Sequence, residues 1–203
     1  MTAIRVLLAD DHHLVREALA LLLGTEDGIE VVADVGRGDE AVQQALAHRP
    51  DVAVLDIDMP GMDGLSAAEQ LARDLPSCRV VIVTGHGRPG NLRRAMAAGV
   101  RGFLGKDTPA SRLAEVIAQV HEGARYIDPQ LAADALAAEE CPLTPRELDA
   151  LRAAADGSPV SRIARTLSLS EGTVRNYLSS AVTKLGTDNR HAAVQSARDR
   201  GWL

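Results

Sequence analysis

The 203-residue sequence is poor in cysteine, with only Cys78 and Cys141, and in lysine, with only Lys106 and Lys184 among 22 basic residues. Two distant cysteines exclude a disulfide framework, and no Cys/His cluster has zinc-site spacing. No apolar run approaches the ~18 residues that cross a bilayer. The start, Met1-Thr2-Ala3-Ile4-Arg5, runs straight into a strand-like segment without a signal-peptide layout. A soluble, cytoplasmic protein is therefore expected, with no membrane insertion. Low-complexity tracts are missing as well. With 46% hydrophobic and 25% charged residues, the composition is that of a globular chain with a real core. At roughly 100–200 residues per domain, the length allows one large domain or two small ones.

The net charge of −6 hides an asymmetry. Residues 143–203 carry nine basic and six acidic residues, or +3, whereas the remainder carries 13 basic and 22 acidic, or −9. Only the C-terminal part is suited to approach phosphate. Twenty of the basic residues are arginine, so each lysine is a candidate for a chemical requirement.

Residues 1–122 alternate between strand-like and helix-like segments. The strands are Ile4–Ala9, Glu30–Ala33, Asp51–Leu55, Arg79–Val83 and Gly102–Leu104. Between and after them come helical patterns: the set Leu14, Ala18, Leu21 and Leu22, then Asp39–Ala47 with Asp39 as N-cap, Leu65–Leu75, Asn91–Ala98 and Leu113–Val120. Short apolar runs, each followed by a helix of about ten residues, imply a parallel sheet covered on both faces. Such sheets bind at the carboxyl ends of their strands. Asp10, Asp11, Asp56, Thr84 and Lys106 all lie just past those ends. Any one alone would pass as a cap or a turn residue, but five from four strands are hard to assign that way.

Three converging carboxylates repel one another unless a cation sits among them, and an oxygen-rich site of this kind suits Mg²⁺. A carboxylate can also attack phosphorus to give an aspartyl phosphate. The transferring group's oxygens then need neutralising, which Mg²⁺ and a lysine supply. Thr84 can hydrogen-bond a phosphoryl oxygen, and Gly61, Gly64, Gly85 and Gly87 keep the adjoining loops uncrowded.

Asp10-Asp11, the run Val54 to Gly64 around Asp56, Val83-Thr84-Gly85, and Gly102-Phe103-Leu104-Gly105-Lys106 occur in an order and spacing that resemble the receiver domain of two-component response regulators. The resemblance implies a doubly wound, five-stranded parallel (βα)5 domain over residues 1–122. It implies Asp56 as phosphoacceptor, with Mg²⁺ held by Asp10, Asp11, Asp56 and the backbone carbonyl of Asp58. Thr84 and Phe103 become a switch pair, and Lys106 contacts the phosphoryl group, a role for a point-like ammonium rather than a guanidinium fork.

Residues 123–142 read as a linker, with a turn at Tyr126-Ile127-Asp128-Pro129 and a short Ala-rich helix over Leu131–Ala138. A helix-start signature follows. Thr144 is the N-cap, Pro145 the first helical residue and Glu147 the closing member of a capping box, with Leu143 stapling onto Leu148. Asp156-Gly157 ends that helix, Ser158-Pro159 starts a second running to Leu167, Ser170 caps a third running to about Leu185, and a fourth ends at Gly201. In the third helix Val174, Leu178, Ala181 and Leu185 share one face, while Asn176, Ser179 and Thr183 lie opposite with Arg175 at the edge. Leu143 to Glu147, Ile163-Ala164, Leu169 to Tyr177 and Lys184-Leu185-Gly186 resemble the LuxR/NarL/FixJ-type helix-turn-helix. That implies an all-α, four-helix DNA-binding domain over residues 143–203, with Thr173, Arg175, Asn176, Ser179 and Thr183 toward double-stranded operator DNA. Ser179 departs from the pattern, because many relatives carry a basic residue there.

Together the two resemblances imply a non-enzymatic transcription regulator. It would be phosphorylated by a cognate sensor histidine kinase and would form a homodimer on phosphorylation. Two other readings compete. Asp56-Ile57-Asp58 also resembles the nucleophile motif of haloacid-dehalogenase-type phosphatases, but Asp10-Asp11 precede it and no cap insertion is visible. A binding protein that never takes phosphate would not need the full Asp/Asp/Asp/Thr/Lys set. Arg37-Gly38-Asp39 reads as a loop entering a helix, and Gly36-x-Gly38 lacks the third glycine of a dinucleotide fingerprint because Ala41 stands there. His12 and His13 are candidate metal ligands beside Asp11 but read rather as the start of the first helix, His86 as a loop residue, Cys141 as an exposed linker thiol, and Trp202 as packing for the last helix.

Overall fold

The computed structural model describes residues 3–85, 87, 89–137 and 141–203, so His86 and Ala138 lie outside the described residues. The chain divides into two compact units, the first running to Gly87 and from Asn91 to Ala135, the second comprising Leu136–Leu203 together with Pro89 and Gly90.

The first unit alternates β1 (Ile4–Ala9), α1 (His13–Gly24), β2 (Ile29–Val35), α2 (Gly38–His48), β3 (Val52–Asp56), α3 (Gly64–Asp74), β4 (Arg79–Thr84), α4 (Pro89–Ala97), β5 (Gly102–Gly105) and α5 (Ala110–His121), then β6 (Tyr126–Ile127) and α6 (Pro129–Ala137). The strands run parallel in the order β2-β1-β3-β4-β5-β6. Side chains alternate along each strand and so build two cores. Leu7, Ala9, Ala53, Leu55, Val80, Ile82 and Phe103 face α2, α3 and α4. Val6, Leu8, Val52, Val54, Val81, Val83 and Leu104 face α1 and α5. This is the doubly wound α/β arrangement expected from the βα alternation.

Four details differ from the sequence reading. Tyr126 and Ile127 are a sixth strand rather than a turn. Tyr126 N–H donates to the Arg101 carbonyl at 2.8 Å and Asp128 N–H to that of Phe103 at 2.9 Å. An aromatic and a β-branched residue suit a strand, and the pairing covers the edge of β5. The expected linker is therefore partly folded into the first unit, with Ala135 buried and Leu131 packed on its core. Helix α2 begins one residue early. Its Asp39 caps nothing and instead pairs with Arg37 at 3.0 Å. In α1 the leucines used to recognise the helix face outward: Leu14 is 79% and Leu21 73% exposed, whereas Leu23 is the buried residue.

The second unit holds α7 (Pro145–Ala153), α8 (Val160–Leu167), α9 (Glu171–Lys184) and α10 (Arg190–Asp199) around Leu151, Ile163, Val174, Leu178, Ala181, Val194 and Trp202. The capping box forms as written: Glu147 N–H donates to Thr144 Oγ1 at 3.3 Å, and Thr144 N–H to Glu147 Oε2 at 2.7 Å. Helix α7 stops at Ala153, before the expected Asp156-Gly157. Ser158 does not start α8, because its N–H and hydroxyl bond the Asp156 carboxylate at 2.8 and 2.9 Å. The tight turn into α9 passes through Ser168 in the left-handed region, at φ 55°. Cys141 is partly buried against this core rather than exposed. Among the described residues, no helix is long and apolar enough to cross a membrane.

Candidate functional site

Strand register assembles the carboxylate cluster. Ala9 lies opposite Leu55, which brings Asp10 level with Asp56. Asp56 pairs with Val83, placing Thr84 one step beyond, and Thr84 pairs with Gly105, so Lys106 follows directly. Lys106 Nζ stands 2.7 Å from Asp56 Oδ2 and 2.7 Å from Asp10 Oδ2. Asp10, Asp56 and Thr84 are buried, Asp56 being only 3% exposed. Asp56 Oδ1 accepts its neighbour Ile57 N–H at 2.7 Å. Asp10 Oδ1 accepts His12 N–H at 2.8 Å. Asp11 stays at the exposed rim, and Phe103 is fully buried on the α2–α4 side.

The electrostatics follow from burial. Desolvation raises the Asp56 carboxyl above its ordinary range, although Lys106 opposes it. Burial also works against the Lys106 charge, but hydrogen bonds to Asp10 and Asp56 outweigh it and hold the ammonium above its usual value. Three carboxylates against one ammonium leave an excess near −2. That excess and the oxygen donor set fit a divalent cation. Donor atoms of Asp10, Asp11, Asp56 and His12 all lie within 4.8 Å of one another.

The loop after β3 is shaped around this cluster. Gly64 N–H bonds the Ile57 carbonyl at 2.9 Å. A Cβ at Gly64 would fall 1.9 Å from the carbonyl oxygen of Asp56, so any other residue there must displace the loop. Asp58 is exposed on the same loop. Asp63 caps α3 through Leu65 and Ser66 N–H, and Arg94 of α4 reaches that carboxylate at 3.2 Å and Glu69 at 3.0 Å. Arg16 of α1 donates to the Asp10 carbonyl at 2.6 Å and to Asp34 at 3.2 Å, fixing the end of β1.

The sequence reading missed two of these features and weighed a third, a metal role for His12, only to set it aside. His12 does occupy the N-cap position of α1, but its imidazole also lies over the acidic pair, and its place directly after Asp10-Asp11 is the available signal. The Arg94 network joins residues 25 to 31 positions apart and has no local pattern. Glu147 is more than a cap, since it also accepts from Ser180 Oγ at 2.6 Å and Lys184 Nζ at 2.8 Å. The second lone lysine thus ties the end of α9 to the start of α7.

On α9, Val174, Leu178 and Ala181 are buried as the spacing requires, while Arg175, Asn176, Ser179 and Thr183 are exposed. Thr173 is half-buried, and its Oγ1 lies 2.8 Å from Ser170 Oγ within the helix cap. Arg175 pairs with Glu171 at 2.7 Å. Arg175, Ser179, Thr183 and Arg190 line an open groove of about 480 Å³.

Residues 6–118 match the response regulator receiver domain family, and residues 141–197 match the luxR family of bacterial regulatory proteins. Over 200 residues the chain is 42% identical to the transcriptional regulatory protein DesR of Bacillus subtilis (strain 168), covering 98% of this chain and 99% of DesR. It is 36% identical over 200 residues to the response regulator RamR of Streptomyces coelicolor, covering 98% of each. The crystal structure of the response regulator ChrA of a heme-sensing two-component system aligns with a TM-score of 0.60 and 33% identity, covering 100% of both chains.

Proposed function

This chain belongs to the response regulators that join a receiver domain to a luxR-type DNA-binding domain, and on that premise we propose that Asp56 accepts a phosphoryl group from a sensor histidine kinase and so gates DNA binding. The receiver is residues 1–122 extended by the folded part of 123–142, and the DNA-binding domain is 143–203. Asp10, Asp11, Asp56 and the backbone carbonyl of Asp58 would hold Mg²⁺, which when bound neutralises charge on the phosphoryl oxygens.

A carboxylate oxygen of Asp56 attacks phosphorus, and the bond from phosphorus to the kinase's histidine nitrogen breaks. Asp56 is held for this by the Ile57 N–H and by Lys106. Lys106 then follows the charge onto the phosphoryl group. Thr84, at the end of β4, turns toward the new acceptor oxygens, and Phe103 on the neighbouring strand repacks with it. Those movements alter the outer surface near β5 and favour a homodimer. Thr173, Arg175, Asn176, Ser179 and Thr183 of α9 then face double-stranded operator DNA.

The observation that carries this reading is Lys106 Nζ at 2.7 Å from buried Asp56, in a chain whose second unit matches a DNA-binding family. The test is incubation with acetyl phosphate and Mg²⁺, followed by intact-mass measurement. One stable phosphoryl adduct is expected, absent in Asp56→Asn. Persistent labelling of that variant, or rapid hydrolysis with no adduct as a phosphatase would give, overturns the assignment.

A further inference from the structure

We infer that His12 is a fourth side-chain donor of the acidic cluster and that, through its imidazole, the cluster takes a first-row transition ion such as Co²⁺, Ni²⁺ or Zn²⁺ in competition with Mg²⁺. The inference rests on Asp10, Asp11 and Asp56 being a cation site. His12 Nδ1 lies 2.7 Å from Asp11 Oδ1 and 3.3 Å from Asp10 Oδ1. It shares with Asp10, Asp11 and Asp56 a set of donor atoms that are all within 4.8 Å of one another. The backbone of His12 is fixed, because its N–H bonds Asp10 Oδ1 at 2.8 Å. Its side chain does no capping work for α1. The imidazole is 65% exposed, so it can turn from the Asp11 carboxylate toward an ion with little repacking.

Donor chemistry decides which ion gains. Mg²⁺ takes oxygen and keeps its waters, so a nearby imidazole adds little to its affinity. Imidazole is a good ligand for Co²⁺, Ni²⁺ and Zn²⁺, and these ions also rank above lighter divalent metals at mixed N/O sites. His13, the next residue, provides an internal contrast: it points to Glu17 at 3.5 Å and lies outside the cluster. An otherwise all-oxygen site thus carries one nitrogen donor that responds to the kind of metal present.

The test is calorimetric titration of the full chain with Co²⁺ and with Mg²⁺, the latter also as competitor, together with visible absorption of bound Co²⁺. The proteins are wild type, His12→Ala, His13→Ala and Asp56→Asn. The expected result is a Co²⁺-to-Mg²⁺ affinity ratio that falls roughly tenfold or more in His12→Ala, with a changed Co²⁺ spectrum, and that holds in His13→Ala. Excess Mg²⁺ should displace the Co²⁺. An unchanged ratio and spectrum in His12→Ala, or an equal fall in His13→Ala, overturns the inference. Asp56→Asn separates this from the underlying reading. If that variant loses Mg²⁺ while His12→Ala changes nothing, only the His12 role fails. If it binds Mg²⁺ as the wild type does, the cation site itself fails.

Discussion

With Nζ 2.7 Å from both Asp10 and Asp56, Lys106 offsets repulsion between two buried carboxylates, and removing it leaves them facing each other without a counter-charge. Lys106→Ala should destabilise the first unit by about 3 kcal/mol at pH 7. The loss should shrink toward pH 4. Burial raises the Asp56 carboxyl, and its protonation as pH falls relieves the repulsion. Urea titrations at the two pH values check this, and equal losses at both would show that the lysine acts by packing alone. Glu147 gives the opposite sign. Burial works against its charge, but Lys184, Ser180 and Thr144 outweigh that and hold its carboxyl at about 2, against an ordinary 4.5. A depressed carboxylate contributes stability above its unfolded value and loses it as pH falls through the folded one. Glu147→Gln should therefore cost up to about 3 kcal/mol at pH 7. The difference from wild type should close between about pH 4.5 and 2. Denaturation of both proteins across that window is the measurement.

Helix α9 shows what periodicity can reveal: Val174, Leu178 and Ala181 share a stripe at helical spacing, and the fold buries all three. The same reasoning recognised α1 as a helix but not which side of it is buried, because Leu14, Leu21 and Leu22 on the exposed side are as apolar as Leu19, Ala20 and Leu23 on the packed one. Periodicity reports element type, and burial is settled by neighbours distant in sequence. Strand β6 was hidden for a related reason. Two residues are too short for an alternation, and their pairing depends on the exposed edge of β5. The cluster Asp10, Asp56, Thr84 and Lys106 was legible because parallel strands end at one level, whereas its contact with His12 depends on a side-chain rotamer. Two substitutions test local geometry. Gly64→Ala places a methyl group 1.9 Å from the Asp56 carbonyl oxygen, so the loop must move. It should cost ~1–3 kcal/mol in urea unfolding and slow phosphorylation. Ser168→Gly, at φ 55° in the turn before α9, should stabilise the second unit by about 1 kcal/mol, read from its thermal transition. A destabilised Ser168→Gly protein would mean that the serine side chain holds the turn.

The two parts of the chain carry opposite charge, −9 before residue 143 and +3 from there on. Only the second is attracted to DNA, and its excess is small. A single subunit at +3 neutralises few phosphates, so its affinity for any duplex is low. On the proposed function, pairing two subunits would double the contacts and let two α9 helices enter successive major grooves, with half-sites about one helical turn apart. On the same proposal, phosphorylation at Asp56 would supply the free energy for that pairing, through Thr84 and Phe103, by shifting a population that exists beforehand. Weak self-association is therefore expected without phosphate and stronger association with it, visible by sedimentation at micromolar concentration. The salt dependence of DNA binding should be shallow for a response regulator dimer, with a slope near 0.9 per phosphate contacted. Ser179→Lys adds one cation per subunit on the exposed face of α9, so it should tighten binding to every sequence and steepen that slope by about two for the dimer. Asn176→Ala removes an exposed amide of the kind that suits adenine, and no charge. It should leave the slope unchanged and relax preference at one base pair per half-site. Titrations at several salt concentrations, on a selected operator and on scrambled DNA, separate the two effects. If neither variant changes affinity, slope or preference, α9 is not the element that reads the duplex, and the gate set by Asp56 acts through another surface.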